Sequence, residues 1–326
     1  MPNIAISADK LTKRFGKFTA VDEVCFEIPY GAIFGFLGAN GAGKSTTIRM
    51  LCGILAPTSG TGTVGGFDVQ TQPEEIKTVI GYVSQRFSLY SDLNVVENLT
   101  FYGQIYGLEG AELSNRIKDV LTLTGLDRFR QRLAGDLSGG MKQKLAIANA
   151  ILHKPKIIFL DEPTAGLDPL SRRAIWELLY QLAEGGTSLF VTTHYMEEAE
   201  RCNTIAFISD GKLLKIGQPT DLRHELKGKI LEVTCQPLMK ASRLFLQLRG
   251  VRGVTVYGTT LNLNVTDEKA VQERVTACAS KEGITISSIK PISASLEDVF
   301  SDLDAGRIDV SPPPAGGVRG GGVSDA

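Results

Sequence analysis

The chain has 326 residues, 43% hydrophobic and 22% charged, with a formal net charge of -1. That length accommodates two domains and a sizeable core. The near-zero charge carries no global signature of a nucleic-acid binder or of a polybasic membrane surface. Five scattered cysteines (Cys25, Cys52, Cys202, Cys235 and Cys278) form no CxxC pair and no Cys/His cluster, which argues against a structural zinc site or a disulfide scaffold and fits a reducing compartment. The opening MPNIAISADKL lacks a basic stretch followed by an apolar core, so no signal peptide is expected. No apolar run reaches the roughly 18 residues that span a bilayer.

Taken in order, Ile4-Ala5-Ile6 begins an expected edge strand, and Ala20 to Ile28 continues the alternation of a β-strand. Between them lies Phe15, a candidate to stack on a purine ring. Ala32 to Leu37 reads as a buried strand and Thr46 to Leu51 as the start of a helix. The loop between them, GANGAGKST, fits the phosphate-binding pattern G-x-x-x-x-G-K-[ST]. Its residues are Gly38, Ala39, Asn40, Gly41, Ala42, Gly43, Lys44, Ser45 and Thr46. The glycines let the backbone approach an anion, and the loop N–H groups and helix N-terminus then face the phosphates. Lys44 is placed to reach the β- and γ-phosphates, and Ser45 to put its hydroxyl on Mg²⁺. This strand, loop and helix indicate a nucleoside triphosphate without saying what its energy drives.

Downstream, Pro57 to Asp68 reads as turns between short strands, and Glu74 to Thr78 as a short helix. Ile80 to Ser84 is a strand that ends at Gln85, a position suited to coordinating Mg²⁺ or orienting water. From about residue 89 to 137 helical spacing takes over, with Asn94 and Glu97 in capping-box positions and Tyr102, Tyr106, Leu121 and Leu123 expected in the core. Ser138-Gly139-Gly140 then precedes a helix, either as a second anion site or as an ordinary N-cap. Ile157 to Leu160 is a buried strand that delivers Asp161 and Glu162 at its C-terminal end. Alternation sends the two carboxylates in different directions, so that Asp161 suits a metal shell and Glu162 the polarising of an attacking water. A further buried strand, Ser188 to Thr193, ends at His194 on the same sheet edge as Gln85 and Asp161, where a γ-phosphate contact is credible. Asp210-Gly211 marks a hairpin.

The ordered set GANGAGKST, Gln85, LSGGMKQKL, IIFLDEP, AGLDP and His194 resembles the ATP-binding subunit of ABC transporters over about residues 3 to 220. The resemblance implies a P-loop α/β core with an antiparallel β-subdomain and a helical insert. It also implies roles: Phe15 stacks adenine, residues 38 to 46 cradle the phosphates of ATP, and Ser45, Gln85 and Asp161 serve Mg²⁺. Glu162 is the general base and His194 contacts the γ-phosphate. Ser138, Gly139 and Gly140 complete the site of an opposite subunit, and Asp168 links the two sites. With one copy of each motif, the chain is expected to pair head-to-tail with another copy or a related subunit, most simply as a homodimer.

Residues 221 to 229 read as a connector, and residues 230 to 304 follow the order βαββαβ of a small ferredoxin-like α+β domain. Ser295 to Phe300 is expected to close that domain as a short helix. This ending resembles those of ATPases serving type-2 exporters of drugs, antibiotics or lipid-linked glycans. Residues 305 to 326 are Pro/Gly-rich and expected to be disordered. The function expected from the whole is an ATPase on the inner face of the cell membrane that powers separate transmembrane permease subunits, docked through the helical insert and residues 87 to 92. The rival is a soluble mechanical ATPase acting on ribosomes or DNA, and the neutral charge gives no phosphate-tracking patch for it. A GTPase would require an Asn-Lys-x-Asp guanine reader, which is absent.

Overall fold

The computed structural model describes residues 4–226 and 228–305. The tail expected to be disordered lies, beyond Ala305, outside the described residues. In chain order, strands β1 (Ile4–Phe15), β2 (Phe18–Pro29) and β3 (Ile33–Leu37) lead into helix α1 (Lys44–Leu51). Strands β4 (Ser59–Val64) and β5 (Phe67–Asp68), helix α2 (Pro73–Val79) and strand β6 (Ile80–Val83) follow. Helices α3 (Val95–Ile105), α4 (Gly110–Thr124) and α5 (Gly139–Ala150) come next, with 3-10 turns at Asp127–Phe129 and Ala134–Asp136. The core then alternates β7 (Ile157–Asp161), α6 (Pro169–Glu184), β8 (Ser188–Thr193), α7 (Met196–Ala199), β9 (Thr204–Ser209) and β10 (Lys212–Gly217). Helix α8 (Pro219–His224) precedes β11 (Lys229–Gln236), α9 (Leu238–Phe245), β12 (Val251–Tyr257), β13 (Thr260–Val265), α10 (Glu268–Glu282), β14 (Thr285–Ile292) and α11 (Leu296–Ala305).

The central sheet has the order β10-β9-β3-β8-β7-β6, parallel except for the β9–β10 hairpin. Strands buried on both faces read as continuous apolar runs; β3 and β7 are buried at every position. A second, antiparallel sheet runs β2-β1-β4-β5. Strand β1 therefore has neighbours on both sides and is not the edge strand expected from its sequence; the partner that covers it, β4, arrives some fifty residues later. The two sheets bury a common core around Phe190, whose ring lies 5.3 to 6.0 Å from those of Phe26, Phe34, Phe36 and Phe159. The other face of the central sheet packs on α3 to α6, with Trp176 fully buried.

The helical stretch begins on the anticipated capping box: Asn94 Oδ1 accepts from Glu97 N (2.9 Å) while Glu97 Oε2 accepts from Asn94 N (2.7 Å). Of the four residues expected in its core, Leu121 is fully buried, Tyr102 is half-buried, and Tyr106 and Leu123 are exposed. Tyr106 instead stacks on His153 at 3.8 Å between ring centroids.

The C-terminal sheet is fully antiparallel in the order β12-β13-β11-β14, with α9 and α10 on one face over its own apolar core. This is the ferredoxin-like arrangement of βαββαβ. Two features differ from the sequence reading. The stretch read as a connector carries α8, whose Leu222 is buried. Helix α11 does not complete the small domain's own core: Leu296 and Val299 are buried in the ATPase-side core, Phe300 packs 5.5 Å from Phe207, and Asp304 accepts from Ser209 Oγ at 2.7 Å. The short helix itself was legible, but the surface it covers depends on where the chain returns.

Candidate functional site

Parallel strands deliver their C-terminal ends to one edge of the sheet, where α/β proteins bind ligands. Here β3 delivers the glycine loop, β6 leads to Gln85, β7 ends at Asp161 and Glu162, and β8 leads to His194. A Cβ on Gly38 would stand 2.3 Å from the Ile208 carbonyl oxygen. Gly43, at φ 108, begins α1 with Ala20 O where a Cβ would be, 2.6 Å away. Only glycine fits at these two points. No acidic residue occupies the first turn of α1, so its positive end is free to face an anion.

The buried ammonium of Lys44 donates to the carbonyl oxygens of Gly38 (2.8 Å) and Ala39 (3.1 Å) and pairs with Glu162 Oε1 at 3.1 Å. The other carboxylate oxygen of Glu162 accepts from Gln85 Nε2 (3.0 Å) and lies 3.1 Å from His194 Nδ1. The histidine contact is close in distance but its angles do not make a hydrogen bond. Glu162 sits at φ 49, a left-handed conformation that a glutamate rarely adopts. Its backbone is held by Thr192, since Glu162 N donates to Thr192 Oγ1 (2.9 Å), which itself donates to Asp161 Oδ1 (2.6 Å). One hydroxyl thus fixes both acids and turns them apart.

Asp161 is nearly buried, and its charge reaches the groups behind it. Burial, then Asp161, raises the Cys52 thiol well above its usual value. The same two causes push Tyr82 up to about 12. Both therefore remain protonated at neutral pH.

A cleft of roughly 450 Å³ opens in front, lined by Phe15, Phe18, Asn40, Gly41, Gly43 to Thr46, Gln85 and Glu162. The edges of the β1–β2 hairpin supply its aromatic wall: Phe15 and Phe18 face each other across the turn and are 49% and 63% exposed. Phe18 was not singled out from the sequence; its position directly opposite Phe15 across a two-residue turn is the signal that could have found it. Also missed were Thr192, Thr193 and the buried Glu198, which meet the site only through tertiary contacts. Apart from the N-cap position of Ser138, the LSGG residues stand elsewhere. Ser138 Oγ accepts from Met141 N at 3.4 Å at the start of α5, and Ser138 and Gly139 are exposed. They do not line the cleft. Asp168 caps α6, accepting from Ser171 N at 3.0 Å, and hydrogen bonds from the Ser171 hydroxyl and backbone hold its carboxyl below the usual range. The two helix starts touch: a Cβ on Gly140 would lie 2.6 Å from Ser171 Oγ.

Comparison with known proteins agrees with this layout. Residues 21–165 match the family model described as ABC transporter, and residues 217–303 match that of the ATP-binding protein DrrA1-3-like, C-terminal domain. The linearmycin resistance ATP-binding protein LnrL of Bacillus subtilis is 38% identical over 304 residues, covering 91% of this chain and 97% of LnrL. The chain belongs to the ABC transporter family. The relatives it matches carry the name ATP-binding protein. The probable multidrug ABC transporter ATP-binding protein YbhF of Escherichia coli is 45% identical over 220 residues, which are 68% of this chain; the chain spans only 38% of YbhF. Among solved structures, a dimeric post-hydrolysis state of the ATP-binding cassette MJ0796 bound to ADP and Pi aligns with TM-score 0.60 and 28% identity, over 65% of this chain and 98% of that one.

The aromatic wall yields a direct expectation for this ABC subunit. Replacing Phe15 and Phe18 together by alanine raises the KM for ATP about tenfold or more, on the basis of roughly 1–3 kcal/mol for base–aromatic stacking, and leaves kcat nearly unchanged. Steady-state kinetics of the double variant check this, and an unaltered KM removes stacking from the account.

Proposed function

We propose that this chain hydrolyses ATP to drive an ABC exporter, working as a pair of cassettes beneath separate transmembrane subunits. The observation that carries the chemistry is the placing of Glu162 between Lys44, Gln85 and His194 at the mouth of the glycine loop. In hydrolysis, Lys44 exchanges its carbonyl and carboxylate partners for phosphate oxygens. Glu162, released from Lys44, accepts the proton of the water that attacks the γ-phosphorus. The bond from the β–γ bridging oxygen to the γ-phosphorus breaks, giving ADP and phosphate. Gln85 and His194 flank the same carboxylate oxygen and orient that water and the γ-phosphate. Ser45, Gln85 and Asp161 offer hard oxygen donors around this edge, which suit Mg²⁺. Held there, the ion would supply neutralisation of the triphosphate charge.

Pairing is supported by what the cleft lacks. The LSGG residues of the same chain do not line it, and Ser138 and Gly139 are exposed, as are Asp168 and Leu170, the latter at 81%. A second copy, turned head-to-tail, supplies them across the interface, and the relative MJ0796 is known as a dimer. Export rather than another use of ATP is supported by the match to LnrL along nearly its whole length, C-terminal domain included. Among the described residues no helix is long and apolar enough to cross a membrane. We place the protein on the cytoplasmic face, bound to permease subunits. The tagged chain isolated from native membranes is expected to co-elute with a polytopic membrane protein. Recovery with ribosomes and without such a protein would overturn the exporter reading in favour of a mechanical ATPase.

A further inference from the structure

Strand β8 ends in two threonines with opposite tasks. Thr192 holds the acids Asp161 and Glu162. Thr193, pointing the other way, accepts from Tyr195 N (3.0 Å) and donates to Glu198 Oε2 (2.7 Å). The backbone bend that carries His194 is therefore pinned on its far side. Glu198 is 1% exposed, and its Oε1 accepts a short hydrogen bond from Thr164 Oγ1, two residues beyond Glu162. Arg172, in the first turns of α6, brings its Nε to 3.7 Å from the same oxygen, an ionic contact longer than a hydrogen bond, and lays its guanidinium 4.3 Å from the Tyr195 ring centroid. One carboxylate thus joins three segments: the loop after Glu162, the bend at His194, and the helix capped by Asp168.

Burying a carboxylate is costly unless its oxygens are well partnered, and plain packing of a four-residue helix calls for no charge at this point. Among the described residues, meanwhile, His194 Nδ1 has no hydrogen bond to fix the ring; it lies 3.1 Å from Glu162 without one. Its aim comes from the backbone at residues 193 to 195 and from the Tyr195 ring, 4.1 Å away between centroids. We propose that Glu198 is a positioning residue for His194, holding the histidine bend in register with the Glu162 loop through Thr193 and Thr164. The inference rests on the reading above that His194 acts on the γ-phosphate.

The test is ATPase kinetics of the full chain with Glu198→Gln, His194→Ala and the double variant. Glu198→Gln keeps the side chain's size while removing its charge and one acceptor. The expected result is a kcat about 10- to 100-fold lower, in the range set by small misplacements of reacting groups, with KM for ATP within about twofold of wild type. The double variant turns over like His194→Ala alone, because the two residues act as a unit. Thr193→Val reproduces the loss and Thr193→Ser, which keeps the hydroxyl, restores activity. This pair reads the same contact if Glu198→Gln fails to fold. A wild-type kcat in Glu198→Gln, a loss additive with that of His194→Ala, or equal activities of Thr193→Val and Thr193→Ser would overturn the proposal while leaving His194 in place. A wild-type kcat in His194→Ala would overturn the reading on which it rests.

Discussion

Glu162→Gln is expected to lower ATP turnover by about 10²–10⁴-fold, the usual contribution of a positioned general base, while ATP binding persists. The substitution preserves the side chain's length, and its amide oxygen can still accept from Gln85 Nε2, which lies 3.0 Å from the present carboxylate. What it removes is the proposed proton acceptor and the charge that Lys44 faces at 3.1 Å. Freed from that ion pair, Lys44 is no less available to the triphosphate, so affinity is not expected to fall. Single-turnover hydrolysis and equilibrium binding measured on one preparation separate the two quantities. Turnover within about threefold of wild type would move the general-base role to another residue.

Lys44→Ala is expected to act on binding and chemistry together. Charge-assisted hydrogen bonds contribute about 1.5–3 kcal/mol each, so ATP affinity falls by roughly 10- to 150-fold. Removal of a preorganised charge at the developing negative charge lowers kcat by a further 10²–10³-fold or so. The geometry behind this is specific. Lys44 is almost fully buried, and among the described residues its polar partners are two loop carbonyls and Glu162. On the function proposed above, an ammonium held among acceptors in this glycine loop serves phosphate rather than stability. Titration calorimetry checks the binding term, and unchanged ATP affinity would contradict it. The contrast between the two variants is itself informative: one retains nucleotide and the other loses it.

Much of this was legible in the sequence where the signal is local. The glycine loop, the Asn94–Glu97 capping box and the turn at Asp210-Gly211, both residues at positive φ, are patterns within a few residues, and each forms as the pattern dictates. The acids of β7 were readable because an apolar run ending in Asp-Glu has one geometric outcome in a parallel sheet. Thr192, Thr193 and Glu198 were not readable, since a hydroxyl or a buried carboxylate has meaning only once loops about thirty residues apart meet. The central place of β1 was missed for the same reason, as its second neighbour is distant in sequence. The short helix at Ser295 to Phe300 was legible, but only the return of the chain to the ATPase core says what Leu296, Val299 and Phe300 cover. That return also means the small C-terminal sheet is held at both ends, by α8 before it and α11 after it, with Asn264 Nδ2 donating to Asp302 Oδ1 at 2.8 Å across the joint.

The central claim is that ATP joins two copies of this chain, each completing the other's site. It is tested most directly by the mass in solution of the Glu162→Gln protein, by light scattering, with and without Mg-ATP. A monomer is expected without nucleotide and a dimer with it, reverting when Ser138 is also replaced by a bulky residue. A monomer under both conditions would contradict pairing of identical copies.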